Sequence, residues 1–353
     1  MTRSVEQRVP LADAAREPDA GVAAAREPEA DASGLRLPDF FIVGHEKCGT
    51  TALYKTLRQH PQIFMPDHKE PRFFMRDWRI PDPDAPKRTA YPRTLEGYAS
   101  LFAGAKPGQR VGEASPQYIR SEHAARLIAE VQPAARIIAI LREPLSFLRT
   151  FHLNCVRAQI ESERDLRKAI ALEDSRRQGR NIPRNSPAPN RLFYCDHIRY
   201  AEQLRRFEAV LPREQILVLI YEDFRADNDA TIRRVLRFLD VDDSYEFQPV
   251  ETRRARKAVR FKLLHRTAIS LQRARRRPAQ AGRASRTVEA LTAAAVRNDA
   301  VQSLMRRVVF SVPAPPDEQV ARELRRRFKP EVQALSEYLG RDMIHDWGYD
   351  AID

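Results

Sequence analysis

Apolar runs alternate with amphipathic stretches through the middle of the chain. Runs rich in β-branched or aromatic residues predict strands near 39–44, 109–113, 136–141 and 215–220. Apolar residues at helical spacing predict helices near 50–59, 121–131, 144–159, 195–210, 229–239 and 317–339. Because strands and helices alternate, the pattern favours an α/β fold with a central parallel sheet flanked by helices on both faces. The stretch 163–193 is rich in Arg, Asn and Pro, which predicts a long loop or lid.

A glycine-containing loop joins the first predicted strand to the first predicted helix. The apolar run ends at Gly44, and the following residues include Lys47, Cys48, Gly49, Thr50, Thr51 and Ala52. Loop amides and the positive end of a helix dipole suit a phosphate or sulfate. In a nucleoside-triphosphate P-loop the lysine follows the last glycine directly, whereas Lys47 precedes Gly49 by two residues. The loop predicts a P-loop-like anion site in a three-layer fold. A tight turn without a ligand is the alternative.

A second candidate anion site follows the strand at 136–141. Arg142 ends this strand, Pro144 suits the first turn of the next helix, and Thr150 comes eight residues after the arginine. An arginine at a strand end and a hydroxyl about two helical turns later can hold a second phosphate through charge-assisted hydrogen bonds. A solvated or ion-paired arginine is the ordinary alternative. Two such strand ends in one sheet would face the same edge, where ligands of parallel sheets bind.

These segments resemble sulfotransferases that use 3′-phosphoadenosine 5′-phosphosulfate (PAPS), most closely the heparan-sulfate-type and bacterial carbohydrate branch. The Lys47–Thr51 loop resembles the 5′-phosphosulfate loop, and Arg142–Thr150 resembles the 3′-phosphate element. Residues 69–74 are similar to the segment that bears the catalytic glutamate, and residues 112–118 to a strand and turn near the acceptor. The resemblance covers roughly residues 38–250, with a weaker similarity at 317–347.

The resemblance implies PAPS as the sulfuryl donor and no metal. It implies two catalytic residues: Glu70 as the base and Lys47 as the cation that stabilises the bridging oxygen. Its implied donor-binding residues are Lys47, Cys48, Gly49, Thr50, Thr51, Ala52, Arg142 and Thr150. Because Phe73 and Phe74 follow Glu70, we expect partial desolvation to raise the pKa of this carboxyl. An exposed Glu70 paired with Lys69 or Arg72 is the alternative.

The acceptor is predicted to be a hydroxyl of a carbohydrate, a glycolipid or a glycosylated natural product. Family members of the heparan type often carry lysine where this chain has Ala114, which argues against a highly sulfated polysaccharide. Some other sulfotransferases use a histidine base, but neither His45, His60 nor His68 occupies the expected position. Glu113 is a weaker candidate, either for orienting the acceptor hydroxyl or for an ion pair with a loop arginine.

Two other functional classes remain open from the sequence. A P-loop kinase or NTPase would need a Lys-Ser/Thr pair after the glycine and an acidic strand end for Mg²⁺, and the sequence offers neither convincingly. A nucleic-acid-binding protein could use the segment 252–288, which holds 13 Lys/Arg and no Asp or Glu within a net charge of +13. With one aromatic residue, Phe261, that segment offers few stacking partners for single-stranded bases, so no specific nucleic acid is predicted.

The composition suggests four regions. Residues 1–36 are predicted to be a disordered tail, 37–250 a sulfotransferase core, 251–312 a basic helical insertion, and 313–353 a C-terminal helix that completes the core. Three cysteines without disulfide or zinc spacing fit a reducing cytoplasm. The sequence contains no apolar run long enough to span a membrane, and the basic segment leaves peripheral contact with a membrane open.

Overall fold

The first strand, β1 (Phe40–Gly44), lies at the centre of a five-stranded, all-parallel sheet in the computed structural model. The other strands are β2 (Ile63–Phe64), β3 (Arg110–Glu113), β4 (Arg136–Leu141) and β5 (Ile216–Ile220), in the order β2-β3-β1-β4-β5. Every residue of β1 and β5 is buried, as expected for a parallel sheet with both faces covered. The predicted α/β architecture and the four predicted strands are therefore confirmed, and the short edge strand β2 was missed.

The structure describes residues 35–75, 92–186, 188–250, 258–259, 310–311 and 317–352. Within these ranges the helices that follow the predicted pattern are α1 (Thr50–Leu57), α3 (Ala124–Val131), α4 (Pro144–Arg157), α7 (Tyr200–Glu208), α9 (Asn228–Phe238) and α10 (Glu318–Leu339). The shorter helices are α2 (Leu95–Ala99), α5 (Leu166–Ala171), α6 (Glu173–Arg177), α8 (Tyr221–Ala226) and α11 (Met343–Asp346). Each predicted helix corresponds to an observed one, with ends that differ by a few residues.

Glycine is required where β1 ends against β4. Gly44 has φ 122°, a conformation that side chains other than glycine rarely adopt. A Cβ atom there would lie 2.4 Å from the carbonyl oxygen of Ile140 on the neighbouring strand. The chain can therefore leave the sheet at Gly44 and turn into the loop that carries Lys47.

The segment predicted as a long loop or lid is more ordered than expected, so that prediction is wrong. It contains α5 and α6, and Arg176 of α6 forms a completely buried ion pair with Glu161 (2.8 Å). The Tyr194 hydroxyl also donates to Glu161 (2.9 Å). Separation of Arg176 from Glu161 would leave an uncompensated buried charge, which is strongly unfavourable. The ion pair and the hydrogen bond from Tyr194 therefore hold the segments that carry these residues in one arrangement.

The C-terminal helix α10 packs against α4 and α7. Its buried residues are Leu324, Phe328, Val332 and Leu335, the stripe that the helical spacing predicts. Trp347 is buried beyond it and makes an edge contact with Tyr200. The C-terminal segment thus packs the apolar face of α10 against α4 and α7.

The predicted tail 1–36 and basic insertion 251–312 lie almost wholly outside the described residues. Two short strands near the ends of the insertion, β6 (Ala258–Val259) and β7 (Phe310–Ser311), pair antiparallel and bring these ends together. The division into four regions stays a prediction. In the described part of the chain, no helix combines the length and the apolar character needed to cross a bilayer.

Candidate active site

The loop after β1 has the geometry of an anion site. Lys47 has φ 71° and Gly49, which precedes α1, has φ 94°. The amides of Thr50 and Thr51 begin α1, where a helix offers no acceptor of its own. The side chain of Cys48 is buried, and the backbone amide of Cys48 donates to the His45 carbonyl (3.3 Å). Cys48 therefore stabilises the turn that leads from β1 into the loop. Ala52 donates its amide to the Gly49 carbonyl (2.8 Å).

Arg142 connects the two predicted anion elements, which follow the adjacent strands β1 and β4. Its Nη1 donates to the carbonyl of Lys47 (3.0 Å), and its Nη2 donates to Oγ of Ser146 (2.7 Å). The guanidinium also lies 4.5 Å from the ring centre of Tyr221 on α8. The loop of the first element therefore depends on an arginine of the second.

Thr150 lies on the same face of α4 as Ser146, one turn later, and its hydroxyl donates to the Ser146 carbonyl (2.9 Å). Arg142 and Thr150 thus both donate to Ser146, Arg142 to its Oγ and Thr150 to its carbonyl, and the three residues are grouped after the end of β4. The amides of Leu145 and Ser146 donate to the Glu143 carboxylate (3.1 and 2.6 Å). The partial positive charge at the N-terminus of α4 is therefore already neutralised by Glu143. Ser146 was missed from the sequence, although its spacing from Thr150 is the signal for a shared helix face.

Glu70 lies on the loop after β2, fixed to the end of β3. Its amide donates to the Ala114 carbonyl (3.1 Å), and the Arg72 amide donates to Oγ of Ser115 (3.1 Å). Glu70 and Arg72 have φ of 65° and 53°, left-handed conformations that are unfavourable for residues with side chains. Together with Lys47, these are three strained residues at one site, and such strain is concentrated at functional sites.

The expected rise in the pKa of Glu70 is wrong. Burial raises this pKa, but the charges of Lys69 (2.8 Å) and Arg72 (2.5 Å) outweigh burial and lower it to about 2. Phe73 instead stacks on Tyr98, at 4.6 Å between ring centres. The aromatic residues therefore build the core beneath the loop, and Glu70 is ionised in the free protein.

A second carboxylate, Glu46, lies beside Glu70 and was missed from the sequence. Its Oε2 pairs with Arg191 (2.8 Å), and its Oε1 accepts from the amide of Gln117 (2.8 Å). Burial raises the pKa of Glu46, but Arg191 and Arg120 outweigh burial and lower it. Arg191 belongs to the segment predicted as a lid, and nothing in its local sequence distinguishes it from neighbouring arginines.

Lys47 lies within the electrostatic reach of both carboxylates. Partial burial and the charge of Arg157 lower the pKa of the Lys47 ammonium group, and Glu46 and Glu70 act in the opposite direction. Among the described residues, two loops thus meet at the carboxyl edge of the sheet: the loop after β1, which carries Lys47, and the loop after β2, which carries the ionised Glu70.

Neighbouring ionisable residues take structural positions. His45 is buried, its ring bonds to Gln203 (2.9 Å), and burial lowers its pKa to about 3. His60 bonds to the Asp242 carbonyl (2.8 Å). Glu113 is completely buried and accepts from the Tyr98 hydroxyl (2.9 Å), and burial raises its pKa to about 7. Glu113 is therefore placed in the aromatic core beside Tyr98.

A polar cavity of about 570 Å³ opens beside this group of residues. Arg120, Gln203 and residues of α6, α7 and α10 line it, whereas Lys47, Glu70, Arg142 and Thr150 do not. Within the described ranges, no group of three or more His, Cys, Asp or Glu side chains could hold a metal ion.

Comparisons with known proteins agree on one family. The sequence profile of the sulfotransferase family matches residues 38–245. The human bifunctional heparan sulfate N-deacetylase/N-sulfotransferase 3 is 26% identical over 227 residues, which are 62% of this chain and 24% of that protein. Human carbohydrate sulfotransferase 15 is 27% identical over 254 residues, covering 58% of this chain and 44% of its own length. The chain therefore spans less than half the length of these curated relatives.

A solved structure shares the fold. The crystal structure of a sulfotransferase from Alicyclobacillus acidocaldarius aligns with a TM-score of 0.59 at 24% identity, covering 89% of this chain and 99% of that one. The family profile matches more than half of the chain and does not extend into the basic segment 252–288. The protein belongs to the sulfotransferase family.

Proposed function

We propose that the protein transfers the sulfuryl group of PAPS to a hydroxyl of a carbohydrate, a glycolipid or a glycosylated natural product. The observation that carries this proposal is the hydrogen bond from Arg142 to the carbonyl of Lys47 (3.0 Å). This bond joins the two segments that we propose as anion-binding elements, and it supports a two-part donor site near the ionised Glu70. A donor with a 5′-phosphosulfate and a separate 3′-phosphate needs two such elements.

The loop after β1 would hold the 5′-phosphosulfate. The amides that open α1 would donate to an anion at the positive end of the helix, and Lys47 would add a mobile positive charge. Arg142, with the hydroxyls of Ser146 and Thr150, would hold the 3′-phosphate, because an arginine presents several donors in a fixed fork.

During transfer, the acceptor oxygen forms a new bond to sulfur as the bond from sulfur to the bridging phosphate oxygen breaks. Lys47 stabilises the negative charge that develops on the bridging oxygen. Glu70 receives the proton of the acceptor hydroxyl. Although the low pKa of Glu70 makes it a weak base in the free protein, a bound polyanionic donor would raise this pKa by charge repulsion.

The acceptor class rests on the relatives and on one residue of this chain. The names of the two human relatives refer to heparan sulfate and to carbohydrate. Ala114 places no cation at the end of β3, which favours an acceptor with few negative charges. The three cysteines of the chain are free, so we also propose a reducing compartment such as the cytoplasm.

Radiolabelled PAPS and a panel of oligosaccharides test the proposal. The panel contains uncharged, carboxylated and sulfated members, and we expect transfer to an uncharged or weakly charged sugar. In parallel, adenosine 3′,5′-bisphosphate should raise the melting temperature more than ATP with Mg²⁺ does, since a bound ligand stabilises the folded state. Stabilisation by ATP with Mg²⁺ alone would contradict the assignment of the donor.

A further inference from the structure

One amide side chain ties together the two carboxylates of the site. Nε2 of Gln117 donates to Oε1 of Glu46 (2.8 Å) and to Oε2 of Glu70 (3.1 Å). A glutamine amide has two N–H groups, so both are engaged. Gln117 is only 1% exposed, and it follows β3, whereas the carboxylates follow β1 and β2. The three loops are thereby held in one arrangement.

The carboxylates would repel each other without compensating groups, because like charges this close destabilise each other's ionised forms. Each has its own cation: Arg191 lies at Oε2 of Glu46 (2.8 Å), and Lys69 lies at Oε1 of Glu70 (2.8 Å). Gln117 supplies uncharged donors between them. The amide of Gln117 therefore joins two carboxylates whose charges are already compensated by arginine and lysine side chains.

The hydrogen bonds at Glu70 distinguish its two oxygens. Oε2 accepts from Arg72 (2.5 Å) and from Gln117 (3.1 Å). Oε1 accepts from Lys69 (2.8 Å). A carboxylate oxygen accepts about two hydrogen bonds, so Oε2 is filled, whereas Oε1 keeps one position to which none of the described residues donates.

We propose that Gln117 is a positioning residue that ties Glu70 to the Glu46–Arg191 pair, so that Oε1 of Glu70 is the oxygen that receives the acceptor proton. This inference rests on the proposed function. The O–H bond of the acceptor breaks, its proton goes to Oε1, and the acceptor oxygen bonds to sulfur. The bond from sulfur to the phosphate oxygen breaks in the same transfer. Gln117 itself exchanges no proton and acts only through Glu70.

Two variants of the full-length protein test the role of Gln117. Gln117→Met keeps the size of the side chain but removes both donors. With labelled PAPS and the oligosaccharide that reacts fastest in the panel, we expect kcat to fall about tenfold or more, because a hydrogen bond to a charged group is lost. The KM for PAPS should stay within about twofold, since the hydrogen bonds that Gln117 donates go to Glu46 and Glu70 and not to the proposed donor-binding residues.

Gln117→Glu places a third carboxylate beside Glu46 and Glu70. The added negative charge raises the pKa of Glu70, so kcat/KM should fall with decreasing pH between about pH 8 and 5. We expect the kcat/KM of the wild type to be flat there, because the pKa of Glu70 in the free protein is about 2. Gln203→Met is the matched control. Gln203 is equally buried and also joins two partners, the His45 ring (2.9 Å) and the Asp196 carbonyl (2.7 Å). This control should lower the melting temperature and leave the pH profile flat.

A double-mutant cycle gives a readout that does not need an acceptor. The unfolding free energies of Gln117→Met, Glu70→Ala and the double variant are measured in urea, and contacting residues should be non-additive. Additive values, or a Gln117→Met enzyme with normal kcat, would overturn the role of Gln117 while leaving the sulfotransferase activity intact. A wild-type protein that transfers no sulfuryl group to any panel member would remove the proposed function and the proton step with it, even if the cycle shows coupling.

Discussion

Replacement of Arg142 by alanine tests the assignment of the two halves of the donor site. Arg142 is 5% exposed, and its guanidinium donates to the Lys47 carbonyl (3.0 Å) and the Ser146 hydroxyl (2.7 Å). Its Nε is buried and has no hydrogen-bond partner among the described residues. A guanidinium held in this way, with donor capacity left over, can bind an anion without being reorganised.

The expected loss follows from the charge of the bond. A hydrogen bond between an arginine and a phosphate is worth roughly 1.5–3 kcal/mol, and every 1.4 kcal/mol is about a tenfold change in affinity. We therefore expect Arg142→Ala to lower the affinity for adenosine 3′,5′-bisphosphate by about tenfold or more. Loss of the bond to the Lys47 carbonyl also disturbs the loop after β1, so the affinity for both nucleotides should fall by a smaller, common factor. The ratio of the two losses is the decisive quantity.

Isothermal calorimetry of adenosine 3′,5′-bisphosphate and adenosine 5′-monophosphate measures that ratio. Arg142→Lys should give an intermediate loss, because lysine keeps the charge but not the planar fork. Arg136→Ala is the matched control, since Arg136 begins the same strand at the opposite edge of the sheet and contacts the Phe238 carbonyl and Asp240. It should bind both nucleotides normally. Equal fold losses of the two nucleotides in Arg142→Ala would refute the 3′-phosphate assignment.

Three further outcomes follow from the site. Lys47→Ala should abolish transfer in single-turnover assays while binding of adenosine 3′,5′-bisphosphate falls far less; near-normal turnover would contradict its role. Because the pKa of Glu70 in the free protein is about 2, kcat/KM of the wild type should not decline between about pH 8 and 5. A decline near pH 6–7 that is absent in Glu70→Gln would show that Glu70 is not fully ionised in the free protein. The pKa of Glu113 is raised from 4.5 to about 7, so its contribution to stability is full below pH 4.5 and is lost as the pH rises through 7. Glu113→Gln should therefore gain about 3 kcal/mol relative to the wild type between pH 4 and 9, and urea unfolding that shows no such change would contradict a neutral Glu113.

The sequence determined the order of the core elements and the position of its two anion elements. Four strands and six helices are visible as local periodicities, because burial on both faces of a sheet or on one face of a helix imposes a repeat on neighbouring residues. Gly44, Gly49 and Pro144 mark the turns, since their backbone requirements are also local. Parallel strands bring their carboxyl ends to one edge, and the sequence therefore already placed Lys47 and Arg142 near each other.

Only the tertiary structure decided which charges meet. The direction of the pKa shift of Glu70 was wrong because the sequence shows Phe73 and Phe74 beside it but not that they turn into the core while Lys69 and Arg72 fold onto the carboxylate. Glu46 and Gln117 are separated by 71 residues, so no local pattern could reveal their bond. Hydrogen bonds and ion pairs depend on distances of a few ångströms between side chains from distant segments, and these distances exist only once the sheet has assembled.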